Sequence, residues 1–108
     1  MIQIQWTCEN LEEAREVSTA LLQAKLVAYV SILPEVESIY LQDGEIQTSK
    51  EIKVFFKTTE GYFTKVKNFI LARCIYVVPE ITAISVLDGN DAYIKWVERT
   101  CASASISD

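Results

Sequence analysis

Ile2, Ile4 and Trp6 alternate with Gln3, Gln5 and Thr7, the period-two pattern of a strand with one buried face. The period then changes. Leu11, Ala14, Val17, Ser18, Leu21 and Leu22 fall on one helical stripe, which predicts a helix from 11 to about 24 with its apolar side on a sheet. Asn10 stands at its start as a cap, with Glu13 three residues on as in a capping box. Glu12, Glu13 and Glu16 place negative charge at the positive end of the helix dipole.

The stretch 26–40 is rich in β-branched and aromatic residues and reads as a strand. Pro34 lies within it and has no N–H for a ladder, so the strand must bend, bulge or leave one edge free near its middle. Gln42-Asp43-Gly44-Glu45 supplies a turn, with Gly44 free to take positive φ. A second extended segment follows from 46 to about 58, with Ile52, Val54 and Phe56 on one face and Lys53, Phe55 and Lys57 on the other. The result is a hairpin whose arms approach about 13–15 residues, on the order of 40 Å at about 3.3 Å per residue, against about 5 or 6 residues for an ordinary strand. The rest of so short a chain has too little material to cover it. An uncovered, partly apolar hairpin is an edge hazard that pairing with another subunit removes, so the pattern predicts an obligate oligomer.

Tyr62, Phe63, Val66, Phe69 and Ile70 recur at helical spacing between 60 and 73, predicting a second helix. Residues 80–86 read as a short apolar strand. Asp88-Gly89-Asn90 is a turn whose Asn can cap a third helix carrying Tyr93, Ile94, Trp96 and Val97. Residues 103–108 are small and polar and read as a frayed tail after a single domain over 1–102. The order β, α, β, β, α, β and a closing helix predicts an α+β chain: a ferredoxin-like βαββαβ sandwich with a long hairpin between its second and third strands and an extra C-terminal helix.

Composition narrows the chemistry. In 108 residues there are 15 Asp plus Glu against 10 Lys plus Arg, a formal charge of -5, and no His. The acidic balance and the lack of a basic cluster argue against nucleic acid. Without His the usual neutral-pH base, the usual transition-metal ligand and every Ser-His or Cys-His pair are missing, so no catalytic residue is assigned. No secretory leader pattern and no apolar run of membrane length appear, and the expected location is the cytoplasm. Cys8, Cys74 and Cys101 lack C-x-x-C spacing and read as reduced thiols. A mean hydropathy of +0.16 is high for a small domain and suits an apolar surface facing a partner.

Several blocks agree in order with a known family. They are Thr7-Cys8, Lys25-Leu26-Val27-Ala28, Ile32-Leu33-Pro34, Ser38-Ile39-Tyr40 with Gly44 and Ile46, Lys57-Thr58, Tyr76 with Pro79-Glu80-Ile81, and Val86-Leu87-Asp88-Gly89-Asn90 followed by Tyr93 and Trp96. From Ile2 to Arg99 the chain resembles the CutA divalent-ion tolerance proteins. The resemblance implies a ferredoxin-like protomer in a homotrimer, linked to copper and divalent-ion tolerance, with a binding or structural role and no catalysis. It requires no cofactor and implies copper or another divalent metal ion as a possible ligand. Where the family commonly has His-Pro-Tyr-Glu, this chain has Cys74, Ile75, Tyr76 and Val77, and Tyr29 stands where the family often has Cys in the second strand.

Cys74, at the matched ligand position, is the metal candidate, since its thiolate suits a soft ion such as Cu(I); the simpler reading, and the one the residue type favours, is a small apolar side chain packed at a helix end. Lys57, Tyr76 and Glu80 are expected to line an inter-subunit cleft for a metal ion or small ligand, or to form an interface ion pair with a tyrosine hydrogen bond. A different class, a small-molecule-sensing trimer like the PII signalling proteins, shares this architecture. It calls for basic residues around a mobile loop, whereas the tip 42–45 is short and acidic.

Overall fold

In the computed structural model of the chain, residues 1–74 and 78–102 are described; Tyr76 and the tail 103–108 lie outside them. The first strand, β1, is Ile2–Cys8, and α1 follows over Leu11–Gln23. Asn10 caps α1 as expected, its Oδ1 accepting from Glu13 N at 2.7 Å. The helix closes when Lys25 turns into the left-handed region at φ 59, which lets Leu26 N–H reach Leu21 O and Lys25 N–H reach Leu22 O, both at 3.0 Å. The apolar run 26–28 therefore starts as a buried plug at the helix end instead of the first rungs of a strand.

The long arms are β2, Tyr29–Gln42, and β3, Glu45–Thr58, each 14 residues. Asp43 and Gly44 join them with φ of 53 and 79, the two positive values that a two-residue type I′ turn demands. The register slips by one residue between Leu33 and Val36, so Pro34 sits in a bulge, where its missing N–H breaks no rung. A 3-10 turn, Glu60–Tyr62, precedes α2, Phe63–Leu71; β4 is Ile81–Ser85 and α3 is Asp91–Ala102. Asn90 opens α3, its Oδ1 accepting from Ala92 N at 2.9 Å. The predicted second helix therefore opens with the 3-10 turn and is α-helical only from Phe63 to Leu71, with no side-chain cap at Tyr62.

The sheet order is β2-β3-β1-β4, with every neighbouring pair antiparallel. This is the split βαβ arrangement, in which β3 lies between β1 and β2 and β1 lies between β3 and β4. α1 and α2 cover one face. Ile4, Trp6, Val54, Phe56, Leu21, Val66 and Ile70 form a core between the layers, and Trp6 stacks on Phe56 at 6.3 Å. α3 closes one end over Ala28, with Val97 and Cys101 buried beneath it; Tyr62 Oη donates to Cys101 O at 2.7 Å.

The last rung between β1 and β3 is Cys8 with Ile52, opposite the Pro34 bulge. Beyond it the hairpin continues alone for seven residues per arm, 36–42 against 45–51, roughly 23 Å at about 3.3 Å per residue. Ile39, Leu41 and Ile46 lie on one face of this overhang and are 66%, 73% and 75% exposed. The projection expected from strand length is therefore present.

Candidate functional site

The sheet face without helices carries a charged cluster where β1, β3 and β4 meet. Thr7 pairs with Lys53 across the ladder, and Thr7 N–H donates to Glu80 O at 3.2 Å, one step before β4 begins. Alternation turns all three side chains to this face, because Trp6, Val54 and Ile81 take the other. Lys53 Nζ donates to Glu80 Oε1 at 2.6 Å and to Thr7 Oγ1 at 2.8 Å. Thr7 Oγ1 donates to Glu80 Oε1 at 2.7 Å, and Thr82 Oγ1 donates to Glu80 Oε2 at 3.3 Å. Burial pushes the Glu80 carboxyl up, but the Lys53 and Thr7 hydrogen bonds and the lysine charge outweigh it and hold it below the usual carboxylate range.

A groove of about 720 Å³ runs from this cluster along the overhang, with Ser38, Tyr40, Ser49 and Lys50 on one wall and Val78 and Pro79 beside Glu80 on the other. Its mixed polar and apolar lining suits a ligand or a strand of another chain.

Of the cleft residues expected from sequence, Glu80 lies in this groove and Lys57 does not. Lys57 sits four positions along β3 from Lys53, paired with Gln3 and Tyr29, roughly 13 Å away at about 3.3 Å per residue. There Tyr29 meets Trp96 edge to face at 6.5 Å, and Trp96 meets Tyr93 at 5.7 Å. Within one protomer, then, Glu80 takes Lys53 as its counter-ion. Tyr76 falls outside the described residues. Reading the sequence missed Lys53 and Thr7, since only the cross-strand register shows which lysine faces Glu80.

Cys74 follows α2, its N–H bonded to Ile70 O at 2.8 Å, and its half-buried side chain packs against the main core. Cys8 is fully buried, and its Sγ donates to Asn10 O at 3.1 Å. Burial pushes the Cys8 thiol up to about 12, the Asn10 bond working against this and Glu13 and Cys74 adding to it. Among the described residues no three His, Cys, Asp or Glu side chains stand together as a metal-binding group. Also among the described residues, no helix is long and apolar enough to cross a membrane.

The acid side of the stability profile depends on Glu80. Its carboxyl is held low in the folded chain, so the stabilisation is present above the unfolded value near 4.5 and is lost as pH falls through the folded value. Thermal melts of Glu80→Gln are expected to show a shallower loss of stability below about pH 4.5 than wild type. Parallel acid limbs would remove Glu80 from the account.

A four-stranded antiparallel sheet in this order, with helices on one face and an overhanging central hairpin, defines a ferredoxin-like α+β protein. Comparison with known proteins is more specific. Residues 2–100 match the family model described as CutA1 divalent ion tolerance protein. The chain is 37% identical over 93 residues to the divalent-cation tolerance protein CutA of Thermus thermophilus, covering 86% of this chain and 90% of that one. It is 32% identical over 101 residues to human protein CutA, covering 94% of this chain and 56% of the human protein's length. Among solved structures, the CutA of Archaeoglobus fulgidus, described as periplasmic, superimposes with a TM-score of 0.88 at 30% identity, over 94% of this chain and 99% of that one. This chain belongs to the CutA1 divalent-ion tolerance family.

Proposed function

We propose that the chain works as a homotrimer in copper or other divalent-ion tolerance, in the cytoplasm, by binding and not by catalysis. The observation that carries this reading is the overhang: two seven-residue arms leave the body with three apolar side chains each at least 66% exposed. An isolated two-stranded ribbon is marginal in water, and covering it with further copies of the chain removes both its free edges and its apolar face. Family membership supports the link to divalent ions. In such an assembly the groove beside Lys53 and Glu80 is bounded by the overhang on one side and open on the other, so a neighbouring copy can complete it as a cleft for a metal ion or a small ligand. Cys74 supplies a soft donor.

Light scattering at micromolar concentration tests the assembly. The expected particle is three times the 12.2 kDa of one chain. A well-folded 12.2 kDa species would overturn the reading. Titration with Cu(II) and Cu(I) tests the ligand, with stoichiometric uptake expected for the assembled protein and none if the role in tolerance does not pass through binding.

A further inference from the structure

We propose that Tyr29, Lys57, Tyr93 and Trp96 form a binding site for a small planar aromatic carboxylate, separate from the groove beside Glu80. The ligand's ring lies against the aromatic side chains, and its carboxylate accepts from the Lys57 ammonium and the two tyrosine hydroxyls. Such a site needs neither a metal ion nor the Cys74 thiolate, so it stands apart from the metal-tolerance reading above.

Tyr29 and Lys57 are direct cross-strand partners at the start of β2 and the end of β3. Their neighbours Val30 and Phe56 pack into the core, so alternation turns Tyr29 and Lys57 to the helix-free face, where opposed side chains leave their strands about 5 Å apart. α3 closes this end of the sheet, and its Trp96 brings an indole to the same place. Trp96 meets Tyr29 edge to face at 6.5 Å and lies tilted by 33° against Tyr93 at 5.7 Å. The cluster therefore joins two elements far apart in the chain into one aromatic wall. It is partly open to solvent, with Tyr29 48% and Trp96 38% exposed.

Charge chooses the ligand. Lys57 is half-buried, and among the described residues its ammonium has no hydrogen bond or ion pair. Lys53, on the same face, has both Thr7 and Glu80. An ammonium that has given up part of its water without gaining a partner is stabilised by an incoming anion. The hydroxyls of Tyr29 and Tyr93 likewise have no hydrogen-bond partner among the described residues. Burial, and then the neighbouring Tyr29 phenol, pushes the Tyr93 hydroxyl above its ordinary range, so it keeps its proton and stays a donor. One cation and two neutral donors match a singly charged carboxylate. The formal charge of -5 on the chain works against a multiply charged phosphate, and Lys57 repels the cationic ligands that aromatic cages otherwise hold. A planar aromatic body gains offset-stacked or edge contacts with the three rings.

The test is a two-dimensional NMR titration of the nitrogen-15-labelled full chain with 1-naphthoate, and in parallel with neutral 1-naphthamide and with AMP. The indole N–H peak of Trp96, assigned by its loss in Trp96→Phe, is expected to move saturably, while that of the fully buried Trp6 stays in place. Removing the ammonium in Lys57→Gln is expected to weaken 1-naphthoate about 10-fold or more, the scale of a charged hydrogen bond, and to leave 1-naphthamide binding unchanged. No saturable shift of the Trp96 peak, or equal 1-naphthoate affinity in wild type and Lys57→Gln, would overturn the site. Tighter binding of AMP than of 1-naphthoate would overturn the carboxylate assignment. If Lys57→Gln fails to fold, the wild type decides by itself: a preference of about 10-fold or more for 1-naphthoate over 1-naphthamide supports the proposal, and equal affinity overturns it.

Discussion

Charging the overhang, as in the double substitution Leu41→Glu with Ile46→Glu, is expected to break the proposed homotrimer into folded 12.2 kDa chains. These residues face each other across the ladder, one rung from the turn, on the face that continues the side of Ile52, Val54 and Phe56 outward past the end of the helical layer. Within a single chain they are 73% and 75% exposed, so the substitutions cost the protomer little: surface changes away from a core usually stay within about 0.5 kcal/mol. In an interface the same positions would bury two carboxylates directly opposite each other, each costing several kcal/mol without a partner. The two effects separate cleanly. Sedimentation or light scattering should report a lower mass with the far-UV spectrum retained. An unchanged mass would mean that this face of the hairpin is not where copies of the chain meet.

Phe56→Ala carries the second large effect. Phe56 is fully buried, stacks on Trp6 and pairs with Ile4 on one side and Val30 on the other, so it ties β2, β3 and β1 together beneath the helices. Removing such a ring costs about 3–5 kcal/mol through lost transfer energy and the cavity left behind. For a domain of this size each kcal/mol lowers the melting temperature by several degrees, so a fall on the order of 15 °C is expected in differential scanning calorimetry. Trp6→Phe is the informative contrast. Trp6 is as deeply buried, but its Nε1 has no hydrogen-bond partner among the described residues, and an unpaired buried donor costs about 1–3 kcal/mol. Phenylalanine loses volume and also removes that penalty, so its net cost should be well below that of Phe56→Ala. Equal losses would show that the indole N–H is satisfied in solution. The consequence reaches the candidate site, because the β1–β3 register held by this core is what sets Thr7 opposite Lys53 and both beside Glu80.

Much of the architecture was legible in the order of residues because it depends on short-range physics. Alternation in 2–7 and 52–57 reports a strand with one wet face, and Asn10 and Asn90 announce helices by their capping chemistry. Asp43-Gly44 can take the two positive φ values of a tight hairpin, and Pro34 requires an interruption that the bulge supplies. Each of these is settled within a few residues of itself. The run 26–28 misleads for a related reason: β-branched and apolar composition looks the same in a strand and in a buried plug, and the closing turn at Lys25 decides between them.

The sequence by itself determined the kinds of element, their order, the overhang and the absence of imidazole, since these follow from local periodicity, length and composition. Only the tertiary structure decided which charges meet. Lys53 and Lys57 share one face of one strand and are indistinguishable by pattern, yet the β1–β3 and β1–β4 registers place Lys53 within 2.6 Å of Glu80 and leave Lys57 beside Tyr29. Likewise Cys8 and Cys74 enter one core cluster because the split βαβ path returns the end of α2 to the start of α1. Contacts between residues distant in sequence depend on register and crossover geometry, and no window of neighbouring residues contains that information.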